Sequence, residues 1–305
     1  MQKNVNVQRF EEAAAILPSR LRRPVLALPE EQKAAAEEIR LRAGRPLTVL
    51  IQGREEPLEA IVEPEELETL CDLATEFSRY AAVETVREGF LPVRGGFRVG
   101  LCGTAVMKEG VNTNLKNLSS AVIRIARERR GIADAIAPRL FTEDKRFVST
   151  LILAPPGGGK TTLLRELVRR LSGGGADFPA QRVSLIDERG EVAVVCRGEP
   201  QMDVGPYTDV LDACPKSIGI PMVLRAMNPQ IIAVDEITIP PDLTAMSMAA
   251  NCGVGLLATI HARDTAELLQ KPLSRRLLEE RIFRLAVRIA WDENGRACAL
   301  EELPC

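Results

Sequence analysis

The stretch LILAPPGGGKTTLLREL, residues 151–167, decides the fold. Four apolar residues, Leu151 to Ala154, read as a buried strand. A proline- and glycine-rich turn follows, and from Lys160 onward the apolar positions 163, 164 and 167 recur at helical spacing. Strand, glycine turn, Lys-Thr and helix together form the pattern that cradles a nucleotide phosphate. Glycines at 157, 158 and 159 let the backbone curl so that successive N–H groups face an anion, and the helix N-terminus adds its partial positive charge. The nucleotide-binding residues expected from this pattern are Ala154, Pro155, Pro156, Gly157, Gly158, Gly159, Lys160, Thr161 and Thr162. Lys160 is expected to reach the β- and γ-phosphates of ATP, and Thr161 to ligate Mg²⁺. The usual pattern opens with Gly where Ala154 stands; Ala is the smallest substitute and is expected to cost little.

Working outward, a phosphate cradle needs a metal-holding carboxylate at the end of a neighbouring strand. QIIAVDEI, residues 230–237, supplies it 75 positions after Lys160. Asp235 is expected to hold the Mg²⁺ shell and Glu236 to polarise the attacking water. Between these blocks, VSLIDERGEV (183–192) ends another apolar strand on Asp187 and Glu188, a second source of a water-orienting carboxylate. The residues leave open whether Glu188 or Glu236 is the main base. His261, the single histidine, follows the apolar run GLLATI. A strand end places it on the ligand-binding edge of an open α/β sheet, where a sensing role is expected.

The same apolar strands alternate with helical patterns from residue 128 to the end, which predicts a RecA-like parallel sheet flanked by helices. Residues 1–127 read differently, as a smaller α+β domain. Positions 7–40 look helical, broken by Pro18, Pro24 and Pro29. RPLTVLIQGREEPL reads as two strands turning at Gly53, Glu65 to Ser78 as a short amphipathic helix, and GFLPVRGGFRVGLCGTAV as a hairpin around Gly95-Gly96. SSAVIRIARE supplies a further strand.

Composition narrows the function. Lys plus Arg number 40 against 42 acids, so no global charge draws the chain to nucleic acid, and only 11 aromatics offer stacking platforms. Seven scattered cysteines without a Cys-x-x-Cys pair, beside one histidine, argue against structural zinc and fit a reducing cytoplasm. The N-terminus lacks a signal-peptide pattern, and no run is long and apolar enough for a transmembrane segment. Two other readings of the phosphate cradle stay open: a nucleic-acid-associated ATPase, and a nucleotide-gated scaffold that assembles without useful turnover.

The P-loop, the acidic box at 187–188, VLRAMNPQIIAVDE and ATIHARDTAELLQKP, in this order, resemble the secretion-type AAA+/RecA-like ATPases of type II and type IV secretion and pilus retraction. Asp235 departs from that pattern, which commonly has Gly before the Glu. EEIRLRAGRPLTVL, FSRYAAVETVREGFLPVRGGFRVGLCGTAV and AVIRIARE narrow the resemblance to the stage III sporulation AA family of endospore-forming bacteria. The resemblance covers about residues 35–300. It implies a Mg²⁺-dependent ATPase that forms a homo-oligomeric ring, a hexamer by analogy. It further implies a cytoplasmic protein peripherally associated with membrane-embedded sporulation channel proteins, on the mother-cell side. It also implies N-terminal-domain arginines set against phosphate, commonly a neighbour's, for which Arg94, Arg98 and Arg124 are the candidates, with Arg225 suggested by the same likeness.

Overall fold

The computed structural model describes residues 5–75, 86–87, 89–125, 129–292 and 295–303. The expected domain boundary at 127/128 and the last residues of the expected 65–78 helix lie outside these. The chain divides into two compact units. One is Met1–Arg127 with Val195–Gln201, and the other is Glu128–Val194 with Met202–Cys305. Residues 195–201 group with the first unit rather than with the residues that flank them in sequence.

In the first unit, helices α1 (Val5–Ala14), α2 (Ser19–Leu26), α3 (Glu30–Ala35) and α4 (Pro64–Ala74) accompany strands β1 (Ala36–Arg42), β2 (Pro46–Ile51), β3 (Arg54–Ile61), β4 (Phe90–Val93), β5 (Phe97–Lys108) and β6 (Val111–Arg124). The sheet is antiparallel in the order β3-β2-β1-β6-β5-β4. Pro18 and Pro29 stand at the N-caps of α2 and α3, where a missing N–H is harmless. Pro24, expected to break a helix, instead lies inside α2, which ends two residues later. The helical reading of 7–40 also overruns: Ala36–Arg42 is a strand. Ile39 and Leu41 are buried while Arg40 and Arg42 alternate with them, a period of two, and β2 and β6 pair with both edges.

Both expected hairpins form, at Gly53 (φ 78°) and at Gly95-Gly96 (φ 90° and 79°). The strand expected at SSAVIRIARE begins earlier, at Val111, because β5 and β6 continue as one long ribbon turning at Glu109–Gly110. Helix α4 opens with a capping box in which the Glu66 carboxylate accepts the Glu63 N–H at 2.9 Å. Phe10, Leu17, Leu21, Ile39, Leu67, Leu70, Val99 and Ile123 belong to this unit's core.

The second unit carries β7 (Thr150–Ala154), α5 (Lys160–Gly173), β8 (Val183–Asp187), β11 (Thr208–Asp212), α6 (Lys216–Ala226), β12 (Ile231–Val234), α7 (Pro240–Asn251), β13 (Gly255–His261), α8 (Thr265–Gln270), α9 (Pro272–Glu279), β14 (Leu285–Asp292) and β15 (Gly295–Glu302). The short strands β9 (Val195–Cys196) and β10 (Glu199–Pro200) lie in the segment named above. Its sheet runs β11-β8-β12-β13-β7-β14-β15, parallel throughout except for the final hairpin. Strands β7, β8 and β12 are buried along their whole length, as strands covered on both faces must be. This is a RecA-like core of a mostly parallel sheet flanked by helices.

One expectation about this sheet needs correcting. The strand that ends before Asp235 is not the neighbour of the P-loop strand; β13 is hydrogen-bonded between them. Strand order is a packing choice that strand-by-strand reading cannot supply. Its consequence is that His261, at the end of β13, is registered directly against Ala154, at the end of β7.

Candidate phosphate-binding site

The turn between β7 and α5 holds Gly157 and Gly159 at φ 72° and 87°, the left-handed region that suits glycine. A Cβ on Gly157 would stand in open space, so glycine there secures conformation rather than room. Gly158 is different: a Cβ would come within 2.7 Å of the Ala154 Cβ and 2.9 Å of the Pro155 carbonyl. Ala154 ends a regular strand, where no positive φ is needed. Gly159 is the N-cap of α5 and offers no side-chain acceptor, so the first N–H groups of the helix are available to an anion.

Lys160 opens α5 and is only 6% exposed. Its ammonium donates to the carbonyls of Ala154 and Pro155, both at 3.1 Å, and to Nδ1 of His261 at 2.8 Å. Burial pushes its pKa below the ordinary lysine value, against the opposing pull of Asp235 and Glu236. A buried cation held by neutral acceptors is poised for an anionic partner. Thr161 Oγ1 donates to Asp235 Oδ2 at 2.7 Å, which pairs two hard oxygen donors suited to Mg²⁺. Among the described residues no group of three or more His, Cys, Asp or Glu forms a metal site on its own. A cation held here would therefore share Thr161 and Asp235 with phosphate oxygens. Thr162 follows in the same helical turn.

Thr259, buried in β13, was not singled out from the sequence, yet it holds the carboxylate pair in place. Its hydroxyl donates to Asp235 Oδ1 at 2.6 Å and accepts the Glu236 N–H at 2.8 Å. Glu236 takes φ 52°, an uncommon conformation for a residue with a Cβ and one found at functional sites. Its carboxylate is fixed from two sides. Arg189 donates to Oε2 at 2.5 Å, and His261 Nε2 lies 3.0 Å from Oε1. Lys160 faces Nδ1 of His261 and Glu236 faces Nε2, so the ring bridges the two. His261 thus links Lys160 to Glu236, and Lys271 donates to its carbonyl at 2.6 Å.

The two residues of the acidic box divide. Asp187 is 1% exposed and its carboxylate accepts the N–H groups of Glu191, Val192 and Ala193, so it holds a loop and is not a second water-orienting group. Glu188 pairs with Lys216, which is itself buried. Arg225 is exposed in the last turn of α6. Arg94, Arg98 and Arg124 belong to the first unit. Arg94 is exposed. The Arg98 guanidinium lies 3.8 Å above the Phe90 ring, and Arg124 lies 3.4 Å from Glu38 and opposite Arg98 in the β5–β6 register.

Comparison with known proteins agrees with the fold. The fold is similar to the Legionella pneumophila ATPase DotB, with a TM-score of 0.58 and 18% identity, covering 89% of this chain and 79% of that one. It is similar to the pilus retraction motor PilT with bound ADP, with a TM-score of 0.57 and 18% identity, covering 90% and 82%. At such identities the likeness is one of fold. Stage III sporulation protein AA of Bacillus subtilis (strain 168) is 36% identical over 274 residues, which cover 90% of this chain and 89% of that protein. The family model described as Sporulation stage III, protein AA matches residues 7–300, nearly the whole length. The chain therefore belongs to the sporulation stage III, protein AA family.

Proposed function

We propose that this protein is a Mg²⁺-dependent ATPase of secretion type. In this reading it forms a homo-oligomeric ring at the cytoplasmic, mother-cell side of a membrane-embedded sporulation channel and energises it. The observation that carries this reading is the single hydrogen-bonded network that joins Lys160, Thr161, Asp235, Glu236 and His261 at an open glycine loop. Among the described residues no helix is long and apolar enough to cross a membrane; in this reading attachment runs through partner proteins or a surface patch.

Mg²⁺ bound with ATP, which Thr161 and Asp235 would hold, would supply neutralisation of phosphate charge. The chain's own residues do the rest. Lys160 exchanges two backbone carbonyls for phosphate oxygens and so regains the stabilisation that burial denies it. Thr161, with its O–H donated to Asp235, keeps its oxygen lone pairs for the cation that it would hold. Glu236, pinned by Arg189 and His261, orients the attacking water and draws on its proton, while His261 relays the occupancy of the Lys160 site to Glu236. Glu188, paired with Lys216, is the alternative base.

The test is steady-state ATP hydrolysis of the purified protein, with its mass in solution measured alongside. Glu236→Gln should keep nucleotide bound and lower turnover by about 10²–10⁴-fold, the usual loss for a general base. Glu188→Gln should fall far less; the reverse ranking moves the base to the acidic box. A folded wild-type protein that binds no nucleotide removes the reading altogether.

A further inference from the structure

Arg189 enters the hydrolysis described above only as a clamp on Glu236, yet its place at the site suits it for more. Its main chain is fixed by the acidic box. Strand β8 ends at Asp187, whose carbonyl accepts the N–H groups of Gly190 and Ala213, both at 3.2 Å, and whose carboxylate accepts those of residues 191–193. Gly190 takes φ 60° within this turn. Residues 188–190 are thereby held at the end of a buried strand, while the Arg189 side chain reaches outward, 58% exposed. Strands β8 and β12 are hydrogen-bonded neighbours with Ile186 registered against Val234, so this turn and the Asp235–Glu236 pair leave the sheet side by side.

The guanidinium gives one N–H to Glu236 Oε2 at 2.5 Å. Among the described residues it has no other hydrogen-bond partner, so the rest of its N–H fork is unused. An ion pair this exposed adds little to a fold, and stability does not account for it. Its position does. Lys160 faces Nδ1 of His261, Glu236 Oε1 faces Nε2, and Arg189 holds the other oxygen of Glu236. Two cations thus stand at opposite ends of one imidazole–carboxylate pair. A terminal phosphate bound by Lys160, beside a water oriented by Glu236, brings anionic charge toward that carboxylate and needs a cation shared by both. A planar fork with N–H groups to spare meets the need, because it can keep Glu236 and also take a phosphoryl oxygen.

We propose that Arg189 is a catalytic residue that contacts the terminal phosphoryl group of ATP held by its own chain, and so sets the preference of the site for a nucleoside triphosphate over a diphosphate. With ADP the guanidinium has Glu236 alone. With ATP it bridges Glu236 and a γ-phosphate oxygen. It stabilises the charge there as water adds to the γ-phosphorus, the bond to the leaving ADP oxygen breaks, and the proton of the water passes to Glu236. The inference rests on the reading of this loop as an ATP site.

Equilibrium binding of ADP and of a non-hydrolysable ATP analogue to the full chain, each with Mg²⁺, tests it beside steady-state hydrolysis. Arg189→Ala should weaken the analogue by about 10–100-fold, the loss of a charge-assisted contact, and leave ADP affinity unchanged. Its turnover at saturating ATP should fall by about 10³-fold. Arg189→Lys, which keeps the charge and loses the fork, should recover part of both. The selective loss of the analogue should persist in a Glu236→Gln background, where a residue that only positioned Glu236 would leave the preference between the two nucleotides unmoved. Mixing Arg189→Ala with Lys160→Ala protein should restore no activity, since no chain then carries both groups. Equal effects of Arg189→Ala on analogue and ADP, or restored activity in the mixture, overturn the inference. A wild type that binds neither nucleotide overturns the ATP reading, and the inference with it.

Discussion

In the proposed reading, Lys160 serves function at the expense of the empty fold. Its burial disfavours the ammonium, so just below the ordinary lysine value of 10.5 the unfolded chain binds more protons than the folded one. Stability of the nucleotide-free protein should therefore rise with pH between the lowered value and about 10.4. Lys160→Met should flatten that rise, abolish nucleotide binding, and leave the thermal transition at neutral pH no lower than the wild type. Thermal melts across the pH range check this; a clear fall in the melting temperature of the variant would show that the lysine supports the fold.

Thr259 is the opposite case. It is fully buried, and removing its hydroxyl takes that partner from Asp235 Oδ1 and from the Glu236 N–H, leaving Asp235 with its Thr161 contact. Thr259→Val should cost about 1–3 kcal/mol by denaturant unfolding and weaken Mg²⁺-dependent nucleotide binding. Nothing in the sequence near 259 announces this role. Lys160, Thr161, Asp235 and His261 are legible because their chemistry is tied to a local pattern. Thr259, Arg189 and Lys216 are not, because strand register and loop course alone choose their partners.

At the scale of the element, the β7–loop–α5 unit is readable in full because each part is local: apolar strand, left-handed glycines, periodic helix. Its tolerance is also local. Gly158→Ala places a Cβ 2.7 Å from that of Ala154 and should cost about 1–3 kcal/mol while lowering nucleotide affinity. Ala154→Gly restores the more usual pattern and should leave affinity unchanged, at a stability cost of roughly 0.5–1 kcal/mol for glycine in a strand. Isothermal titration with the ATP analogue, beside urea unfolding, separates the two. Elements without such local grammar were harder to read. Ala36–Arg42 has the composition of a helix and becomes a strand because β2 and β6 flank it. The polar run after Gly110 is strand because β5 lies alongside it.

For the whole molecule, the proposed ring would let a neighbouring chain complete the site in trans. Arg98, stacked on Phe90, and Arg124, opposite it beside Glu38, form a cationic row on strands that carry no phosphate cradle of their own. An arginine supplied to developing phosphoryl charge contributes about 10³–10⁵ in rate. Turnover per chain should therefore rise with protein concentration. Mixing an Arg98→Ala, Arg124→Ala protein with Lys160→Ala should restore part of the activity that each lacks alone. A mixture of folded variants that stays silent, with wild-type turnover independent of dilution, would show that each chain hydrolyses ATP by itself.

The sequence by itself determined the glycine loop proposed to bind phosphate, the carboxylates proposed to answer it, the parallel core and the family, because each is carried by short-range patterns of residue type. Only the tertiary structure decided that β13 separates the P-loop strand from the strand before Asp235, so that His261 stands against Ala154 and within reach of Lys160 and Glu236. Only it decided that Asp187 turns to its own loop while Glu188 meets Lys216, and that residues 195–201 join the first unit. The physical reason is the same in each case. Strand order, register and the course of a loop are settled by which surfaces bury together across long sequence separations, and no local run of residues encodes that choice.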